Sequence, residues 1–375
     1  MSTAYEPATG LHPGSPTGQP NGEPTGEPVL RVADLTKGYP LSSGWFGRRQ
    51  HRVLKALDGV DLELRRGEVL ALVGESGSGK STLAKIVVGS TAPTTGSVTH
   101  EGEVLPAKRS GTSARRIQMV FQDPYSSLNP RLTVGQMLGE LLRLHDVVPR
   151  REVRAESVRL LNLVGLEEDA LSAYPSQFSG GQRQRLAIAR ALAVRPDVLI
   201  ADEPVSALDV SVQATILDLF AKLRAELGLS ILFIAHNLAV VQHLSDRVAV
   251  MYLGRIVEVA DTADLFAAPR HPYTRALIDS IPRMTHSNAE DRFELDGEPP
   301  SPYDVPAGCR FAPRCALAAD VCRETDPPLL TVGRGHAAAC VRTAEVAAVP
   351  VADPAVDPVP SSTTTPSTGT AQEHA

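Results

Sequence analysis

Residues Gly74 to Thr82 read Gly-Glu-Ser-Gly-Ser-Gly-Lys-Ser-Thr, between an apolar run that ends at Val73 and an apolar helical pattern that begins at Leu83. A buried strand, a glycine-rich loop and a helix in this order give the pattern G-x-x-x-x-G-K-S, whose backbone N–H groups surround a phosphate. The helix that follows directs the positive end of its dipole at the same anion. A flexible Gly/Ser turn is the alternative, but a turn needs neither the lysine nor the flanking elements. The sequence therefore predicts a nucleoside triphosphate site.

Within this loop, Lys80 is expected to reach the terminal phosphates, and the hydroxyl of Ser81 is expected to bind Mg²⁺. The residues predicted to hold the phosphates are Gly74, Ser76, Gly77, Gly79, Lys80, Ser81 and Thr82.

Bulk composition narrows the class of protein. The chain has 375 residues, 42% of them hydrophobic, a net charge of −6 and an isoelectric point near 6.0. This length allows one large or two ordinary domains, and the missing basic excess argues against a nucleic-acid partner. No apolar run reaches the roughly 20 residues of a membrane span, and the N-terminus lacks a signal-peptide pattern. The sequence predicts a cytosolic protein that meets a membrane only through a partner.

The chain divides by composition into four segments. Residues 29–260 alternate strand and helix patterns, which predicts a mainly parallel sheet covered by helices. Inside this domain, residues 131–184 have helical spacing and predict a helical insertion. Residues 261–342 turn Pro-rich, hold all the cysteines and predict a small C-terminal domain. Residues 1–28 and 343–375 are rich in turn-forming and small residues and predict a disordered leader and tail.

Two acids follow a second buried strand, Val198 to Ala201. Triphosphate hydrolysis needs a carboxylate to hold Mg²⁺ and a group that orients or deprotonates the attacking water. Asp202 fits the first role and Glu203 the second. Two other strand ends add polar groups: Gln122 can sense the γ-phosphate and help bind Mg²⁺, and His236 can contact the γ-phosphate. Either residue alone would be an ordinary side chain at the end of a strand. Because both follow the phosphate loop in this order along the chain, a role in nucleotide binding is favoured.

Ser179-Gly180-Gly181-Gln182 opens a helix and forms a second phosphate-binding element. One nucleotide does not need two such elements from a single chain. Two chains arranged head to tail would each supply Ser179, Gly181 and Gln182 to the nucleotide of the other.

The order of these motifs, with Ala207-Leu208-Asp209 between the acids and the histidine, resembles the ATPase subunit of an ABC transporter over residues 29–260. Further stretches look like the oligopeptide/dipeptide importer branch of that family, and extend the resemblance to residue 342. These stretches are Phe121-Gln122-Asp123-Pro124, residues 203–211 and His271-Pro272-Tyr273-Thr274-Arg275-Ala276-Leu277. The chain departs from the family where Asn237 replaces the usual Asp after the histidine.

This resemblance implies an α/β fold: a P-loop NTPase core of the ABC type with a mainly parallel sheet, an antiparallel β subdomain, a helical insertion and a small Cys-rich C-terminal domain. It implies that Tyr39 stacks on the adenine of ATP, that Glu203 is the general base and that His236 supports it. Asp209 would lie at the seam of the dimer.

The implied partners are a second ATPase subunit, in this branch a sister chain, and two integral-membrane permease subunits. An extracytoplasmic peptide-binding protein would act indirectly. The chain would lie at the cytoplasmic face of the membrane and hydrolyse ATP to drive import of di- and oligopeptides.

A soluble ABC-type ATPase of DNA repair or translation is the alternative. Repair members carry long coiled-coil insertions and translation members carry two cassettes, and neither feature is present here. An intact Glu203 argues against a purely regulatory nucleotide-binding protein.

The four cysteines Cys309, Cys315, Cys322 and Cys340 have the spacing C-x5-C-x6-C-x17-C. In a cytosolic protein such a cluster predicts metal binding more than disulfides. The spacing lacks the paired C-x2-C units of a zinc ribbon, yet four thiolates suit either tetrahedral Zn²⁺ or a 4Fe-4S cluster. The resemblance implies the iron–sulfur cluster and favours it over zinc, with free thiols as a third alternative.

Overall fold

The structure is a computed structural model that describes residues 26–41, 52–281, 293, 295 and 297–348. Nearly all of the predicted leader and the tail beyond residue 348 lie outside these residues, as does the loop around Trp45. Within the described part of the chain, twelve strands form two sheets. They are β1 (Pro28–Leu41), β2 (Arg52–Arg65), β3 (Val69–Val73), β4 (Thr95–His100), β5 (Glu103–Val104), β6 (Ile117–Val120), β7 (Val198–Asp202), β8 (Ser230–Ala235), β9 (Arg247–Tyr252), β10 (Arg255–Asp261), β11 (Leu330–Gly333) and β12 (His336–Ala338).

The same residues form twelve α-helices, with short 3-10 turns at Arg150–Glu152, Glu168–Ser172, Pro175–Gln177 and Ala312–Arg314. The helices are α1 (Lys80–Val87), α2 (Gly111–Arg116), α3 (Pro124–Ser127), α4 (Val134–Leu144), α5 (Val153–Leu163), α6 (Gly180–Leu192), α7 (Val210–Leu227), α8 (Leu238–Val241), α9 (Thr262–Ala267), α10 (Pro272–Asp279), α11 (Asp320–Glu324) and α12 (Thr343–Ala348).

The larger sheet has the strand order β11-β12-β10-β9-β3-β8-β7-β6. Its five strands from β9 to β6 are parallel, which confirms the parallel core predicted from the alternating pattern. Strands β3 and β8 are buried along their whole length, as continuous apolar runs in a sheet covered on both faces should be. Because the carboxyl ends of these parallel strands share one edge, the loops after β3, β6, β7 and β8 come together there.

Both faces of this sheet are covered. On strand β3, Val69, Ala71 and Val73 pack into one apolar cluster with helices α4 to α7. The alternate residues Leu70 and Leu72 pack into a second cluster with β1, β2 and α1. Because successive side chains of a strand point to opposite faces of the sheet, β3 packs against a different layer on each face.

The smaller sheet, in the order β2-β1-β4-β5, is antiparallel throughout. Helices α3 to α6 lie between β6 and β7, where the sequence predicts a helical insertion. Helix α4 begins with a capping box in which Thr133 and Gln136 bind each other's backbone N–H groups, and this satisfies donors that the helix leaves open.

Two features of the C-terminal segment were not predicted. Strands β11 and β12 extend the larger sheet, since Glu258 and Val259 of β10 pair with Ala338 and Ala337. Residues 343–348 form helix α12, where the predicted disordered tail was to begin. Among the described helices, none combines the length and apolar character that a membrane crossing needs.

Candidate functional site

The loop after β3 has very little room for side chains. Gly74 has φ 155°, and a Cβ there would lie 2.1 Å from the carbonyl oxygen of Met251. Gly79 has φ 112°, and a Cβ there would lie 2.4 Å from the carbonyl oxygen of Ala56. Backbone of β9 and β2 therefore encloses the loop at both ends, and only glycine fits these two positions.

Lys80 lies inside this loop and is only 4% exposed. Its Nζ donates hydrogen bonds to the carbonyl oxygens of Gly74, at 2.7 Å, and Glu75, at 2.9 Å. Burial lowers the pKa of Lys80, and the carboxylates of Glu203, Asp202 and Glu75 oppose this shift. The ammonium group thus sits where the loop curls, the position predicted for contact with phosphate.

Two predicted Mg²⁺ ligands meet beside the loop. Ser81, on the first turn of α1, donates a hydrogen bond from Oγ to Oδ1 of Asp202, at 3.1 Å. Burial raises the pKa of Asp202, and the nearby Glu203 adds to this shift, while the Ser81 hydrogen bond opposes it. A hydroxyl and a carboxylate oxygen are hard ligands of the kind that Mg²⁺ prefers.

Glu203 joins the ends of three strands. Its Oε2 accepts a hydrogen bond from Nε2 of Gln122, at 3.1 Å, and lies 3.8 Å from Nδ1 of His236. Gln122 also donates to the hydroxyl of Ser206, at 3.3 Å, a neighbour that the sequence did not single out. Glu203 has φ 47°, an uncommon conformation for a residue with a side chain. Backbone strain of this kind clusters at functional sites.

The second predicted phosphate-binding element, Ser179 to Gln182, is formed at the start of α6. Among the residues that the structure describes, it is not hydrogen-bonded to the phosphate loop or to Glu203. Ser179 caps helix α6: its hydroxyl accepts from the N–H of Gln182, at 3.3 Å, and its own N–H donates to the Gln182 side chain, at 3.0 Å. A Cβ on Gly181 would lie 2.5 Å from Val212 of α7. In the described part of the chain, no hydrogen bond joins Ser179 or Gln182 to Lys80, Ser81 or Glu203.

For two further residues, Tyr39 and Asn237, the structure gives less support for a role at the site. Tyr39 lies on β1, is 37% exposed and has Nζ of Lys37 5.0 Å from its ring centre. Its stacking on adenine remains a prediction. Asn237, which stands where the resemblance leads us to expect Asp, accepts from the N–H of Ala239 at 2.8 Å and so caps α8. The substitution thus keeps the capping oxygen while removing a charge.

Sequence reasoning missed the contacts that two distant residues make with Glu75 of the loop. The backbone N–H of Glu75 donates to Oη of Tyr273, at 2.8 Å, and its carboxylate accepts from Arg314 at 2.9 and 3.1 Å. Tyr273 belongs to a stretch that the resemblance singled out, without a role. Arg314 directly precedes Cys315, and no local pattern connects it to a loop 239 residues away.

All four cysteines line one apolar cavity, together with His271 and Phe311. Burial raises the pKa values of Cys309, Cys315 and Cys340, the last two to about 11. Backbone N–H groups oppose this shift: Cys309 accepts from Phe311 and Ala312, Cys315 from Leu317 and Cys340 from Arg342. These thiols are neighbours and form no disulfide.

Comparison with known families gives matches for both the nucleotide-site region and the C-terminal region of the chain. A family model described as ABC transporter matches residues 57–206, and one described as oligopeptide/dipeptide transporter, C-terminal region, matches residues 257–322. The chain is 49% identical to a probable peptide ABC transporter ATP-binding protein of Sinorhizobium fredii, over 88% of this chain and 94% of that protein. It is 46% identical to the dipeptide transport ATP-binding protein DppF of Haemophilus influenzae, over 83% and 96%.

Solved structures show the same fold. The ATP-binding cassette MJ0796, solved as a dimer in a post-hydrolysis state bound to ADP and Pi, is 30% identical. It matches with a TM-score of 0.54 over 62% of this chain and 98% of its own. The protein cbiO1 of Clostridium perfringens, part of the cbiONQ transporter complex, is 29% identical with a TM-score of 0.55, over 64% and 90%. With its P-loop, its mixed sheets and its near half-identity to relatives along most of its length, the chain belongs to the ATP-hydrolysing subunits of the ABC transporter family.

Proposed function

We propose that this chain hydrolyses ATP to drive import of di- and oligopeptides through a membrane transporter. The observation that carries the proposal is the position of Glu203, held beside the phosphate loop between Gln122 and His236. The match of residues 257–322 to the C-terminal region of oligopeptide/dipeptide transporters supports the peptide substrate. So do the names of the relatives, which are called peptide and dipeptide transport proteins.

In this proposal, each predicted site residue has a role in binding or hydrolysing ATP. The loop N–H groups and Lys80 bind the β- and γ-phosphates, and Tyr39 stacks on the adenine. Ser81, Gln122 and Asp202 would hold Mg²⁺, whose charge offsets the negative charge of the phosphates. Glu203 accepts a proton from the attacking water, and the imidazole of His236 orients the γ-phosphate and that carboxylate. The hydrogen bond from Gln122 to Oε2 orients this carboxylate before the nucleotide arrives.

The site is completed by a second chain. The Ser179 element is separate from Lys80 in this chain, which suits a head-to-tail dimer in which each chain supplies Ser179, Gly181 and Gln182 to the other's ATP. The second chain would be a sister subunit, and hydrolysis would be limited by closure of the pair. The helical insertion would contact two permease subunits at the cytoplasmic face of the membrane, and an extracytoplasmic protein would deliver the peptide.

We place the ATPase domain at residues 29–260, with its helical part at 131–184, and the C-terminal domain at 261–342. A soluble ATPase of DNA repair or translation is the competing function. It has no use for a C-terminal region of the oligopeptide/dipeptide transporter type, and the net charge of −6 gives it no general attraction to nucleic acid.

Detergent-solubilised membranes from the source cells distinguish these functions. The tagged full chain should recover two polytopic membrane proteins and a second ATPase in about equal amounts. A matched sample treated with nuclease should recover the same proteins. Recovery of ribosomal or DNA-bound proteins without any polytopic partner would contradict import.

The cysteine cavity fits a metal group. Four thiols line one cavity, and the backbone N–H of Arg342 donates to the sulfur of Cys340, at 3.3 Å. Burial raises the pKa values of Cys309, Cys315 and Cys340, and a bound metal ion would offset this cost because it binds the thiolate form. In a tetrahedral zinc site with Zn–S bonds of about 2.3 Å, sulfurs lie about 3.8 Å apart. Among the described residues, three or more possible ligand atoms lie within 4.8 Å of each other only at His100, Glu101 and Asp197. The wider sulfur spacing favours an iron–sulfur cluster, which we propose as a structural group held by Cys309, Cys315, Cys322 and Cys340.

Metal analysis of the chain purified without oxygen tests this proposal. We expect about four iron atoms and four acid-labile sulfides per chain, a brown colour and broad absorbance near 400 nm. Cys340→Ser should lower the iron content, while Cys340→Ala should do so equally because both remove the thiolate. One zinc atom per colourless chain would contradict the cluster.

A further inference from the structure

Glu75 is the second residue of the phosphate loop and is held by two residues from far along the chain. Its N–H donates to Oη of Tyr273, at 2.8 Å. Its carboxylate takes both ends of a guanidinium fork from Arg314, at 2.9 and 3.1 Å. A two-bond fork fixes direction as well as distance, so backbone and side chain of Glu75 are both immobilised.

The anchors themselves are rigid. Tyr273 is fully buried on α10, and the Arg314 side chain is 6% exposed. The rings of Tyr252, Tyr273 and Phe311 pack against each other with centres 4.7 to 5.4 Å apart. Tyr252 ends strand β9, the neighbour of the strand that leads into the loop. The C-terminal segment thus rests on the sheet directly beneath the loop.

Holding Glu75 affects the phosphate site in two ways. Its carbonyl oxygen is one of the two backbone acceptors that hold Nζ of Lys80, so its position helps to set where that ammonium lies. Its carboxylate is also a negative charge next to the place of a triphosphate. Arg314 pairs that charge: hydrogen bonds with Glu75 and Tyr252 outweigh burial and raise the pKa of Arg314, so the guanidinium stays protonated. An unpaired Glu75 would repel the nucleotide.

We propose that Arg314 and Tyr273 are positioning residues for the phosphate loop, through which the docked C-terminal segment sets the affinity of the ATP site. The inference rests on the ATP site of the proposed function. It adds that residues outside residues 29–260 belong to the working nucleotide site, although they touch no nucleotide themselves.

Equilibrium binding of a fluorescent ATP analogue with Mg²⁺ to the full chain tests this. Arg314→Ala should raise Kd about tenfold, the size of one such lost coupling. Glu75→Gln should raise Kd by about threefold or less, because it breaks the pair but removes the repelling charge. The double variant should bind no more weakly than Arg314→Ala alone, since the pair is lost only once. Effects that multiply in the double variant would overturn the proposal.

Arg310→Ala is the matched control. Arg310 lies four residues earlier, is equally buried and anchors the same segment to the Leu253 carbonyl and Asp58, without touching the loop. Its Kd should change by less than about twofold. An effect of Arg310→Ala as large as that of Arg314→Ala would mean that docking in general, and not the Glu75 contact, sets affinity.

Two further variants guard against misfolding. Arg314→Lys keeps the charge but loses the fork and should give an intermediate Kd. Tyr273→Phe removes only the hydroxyl that accepts from Glu75 and should raise Kd about threefold. Thermal unfolding of each variant checks the fold. A wild-type chain that binds no ATP would contradict the proposed function, whereas wild-type binding with an unchanged Kd for Arg314→Ala and Arg314→Lys would contradict this inference alone.

Discussion

Glu203→Gln should slow ATP hydrolysis by about 100-fold or more while ATP still binds, because a general base contributes that much to a rate. Glutamine keeps the shape of the side chain and a carbonyl oxygen for the Gln122 hydrogen bond, at 3.1 Å in the native chain. It cannot take a proton from water. The change also removes a negative charge from the end of the phosphate loop, where Glu203 acts on Lys80, so repulsion of the triphosphate falls and ATP affinity should stay equal or rise. We therefore expect a stable ATP-bound state.

Phosphate release and analogue binding, measured on the same samples, check this prediction. Glu226→Gln is a suitable control, since Glu226 is an acid on the exposed face of α7 whose contact with Lys222, at 3.8 Å, lies away from the loop. That variant should hydrolyse ATP within about twofold of wild type, as surface ion pairs contribute little. If Glu203→Gln retained the wild-type rate, another residue would be the base.

Gly74→Ala should weaken ATP binding by about 100-fold, equivalent to about 2.8 kcal/mol. The added Cβ would lie 2.1 Å from the Met251 carbonyl oxygen, and φ 155° adds strain for any residue with a side chain. The backbone of residue 74 fixes the position of the Cβ, and the oxygen that it meets belongs to the backbone of β9, so the loop or strand β9 has to move. Strain and overpacking each cost about 1–3 kcal/mol. Movement of Gly74 also displaces the carbonyl that holds Lys80.

Gly67→Ala is a control that introduces backbone strain without a steric clash, so it separates the two effects of Gly74→Ala. Gly67 has φ 68° in the turn before β3, and a Cβ there meets no atom within 4 Å. This variant should lose about 1 kcal/mol of unfolding free energy and keep its ATP affinity. Analogue binding and chemical unfolding of both variants give the comparison. Equal affinities for Gly74→Ala and wild type would mean that the loop binds nucleotide in another conformation.

The central residues of the site were predictable because parallel strands end at one edge. Asp202, Glu203 and His236 lie at or directly after the ends of buried strands, and Lys80 opens the helix that follows another such strand, so the topology brings them together. The left-handed backbone of Glu203 was not predictable, since nothing in its sequence neighbourhood demands a positive φ. It arises because the chain leaves β7 while the Glu203 N–H binds the Ile234 carbonyl, at 3.0 Å.

The C-terminal segment was the least predictable part. Cysteine spacing indicated a metal group but could not show that Arg314 crosses to Glu75, because contacts so distant in sequence leave no local pattern. Strands β11 and β12 have only four and three residues, too few for an alternating pattern to be recognised. Helix α12 is similarly short, and its small-residue composition resembles the tail that follows it.

Peptide uptake by a reconstituted transporter tests the central claim most directly. Proteoliposomes would contain the permease pair, this chain and its ATPase partner, with ATP on their side of the membrane and a labelled dipeptide with its binding protein on the other. The wild-type complex should accumulate peptide, and the complex with Glu203→Gln should do so at least about tenfold more slowly while it still binds ATP. Equal uptake by both complexes, or ATP hydrolysis by the wild type without uptake of any peptide, would contradict the account.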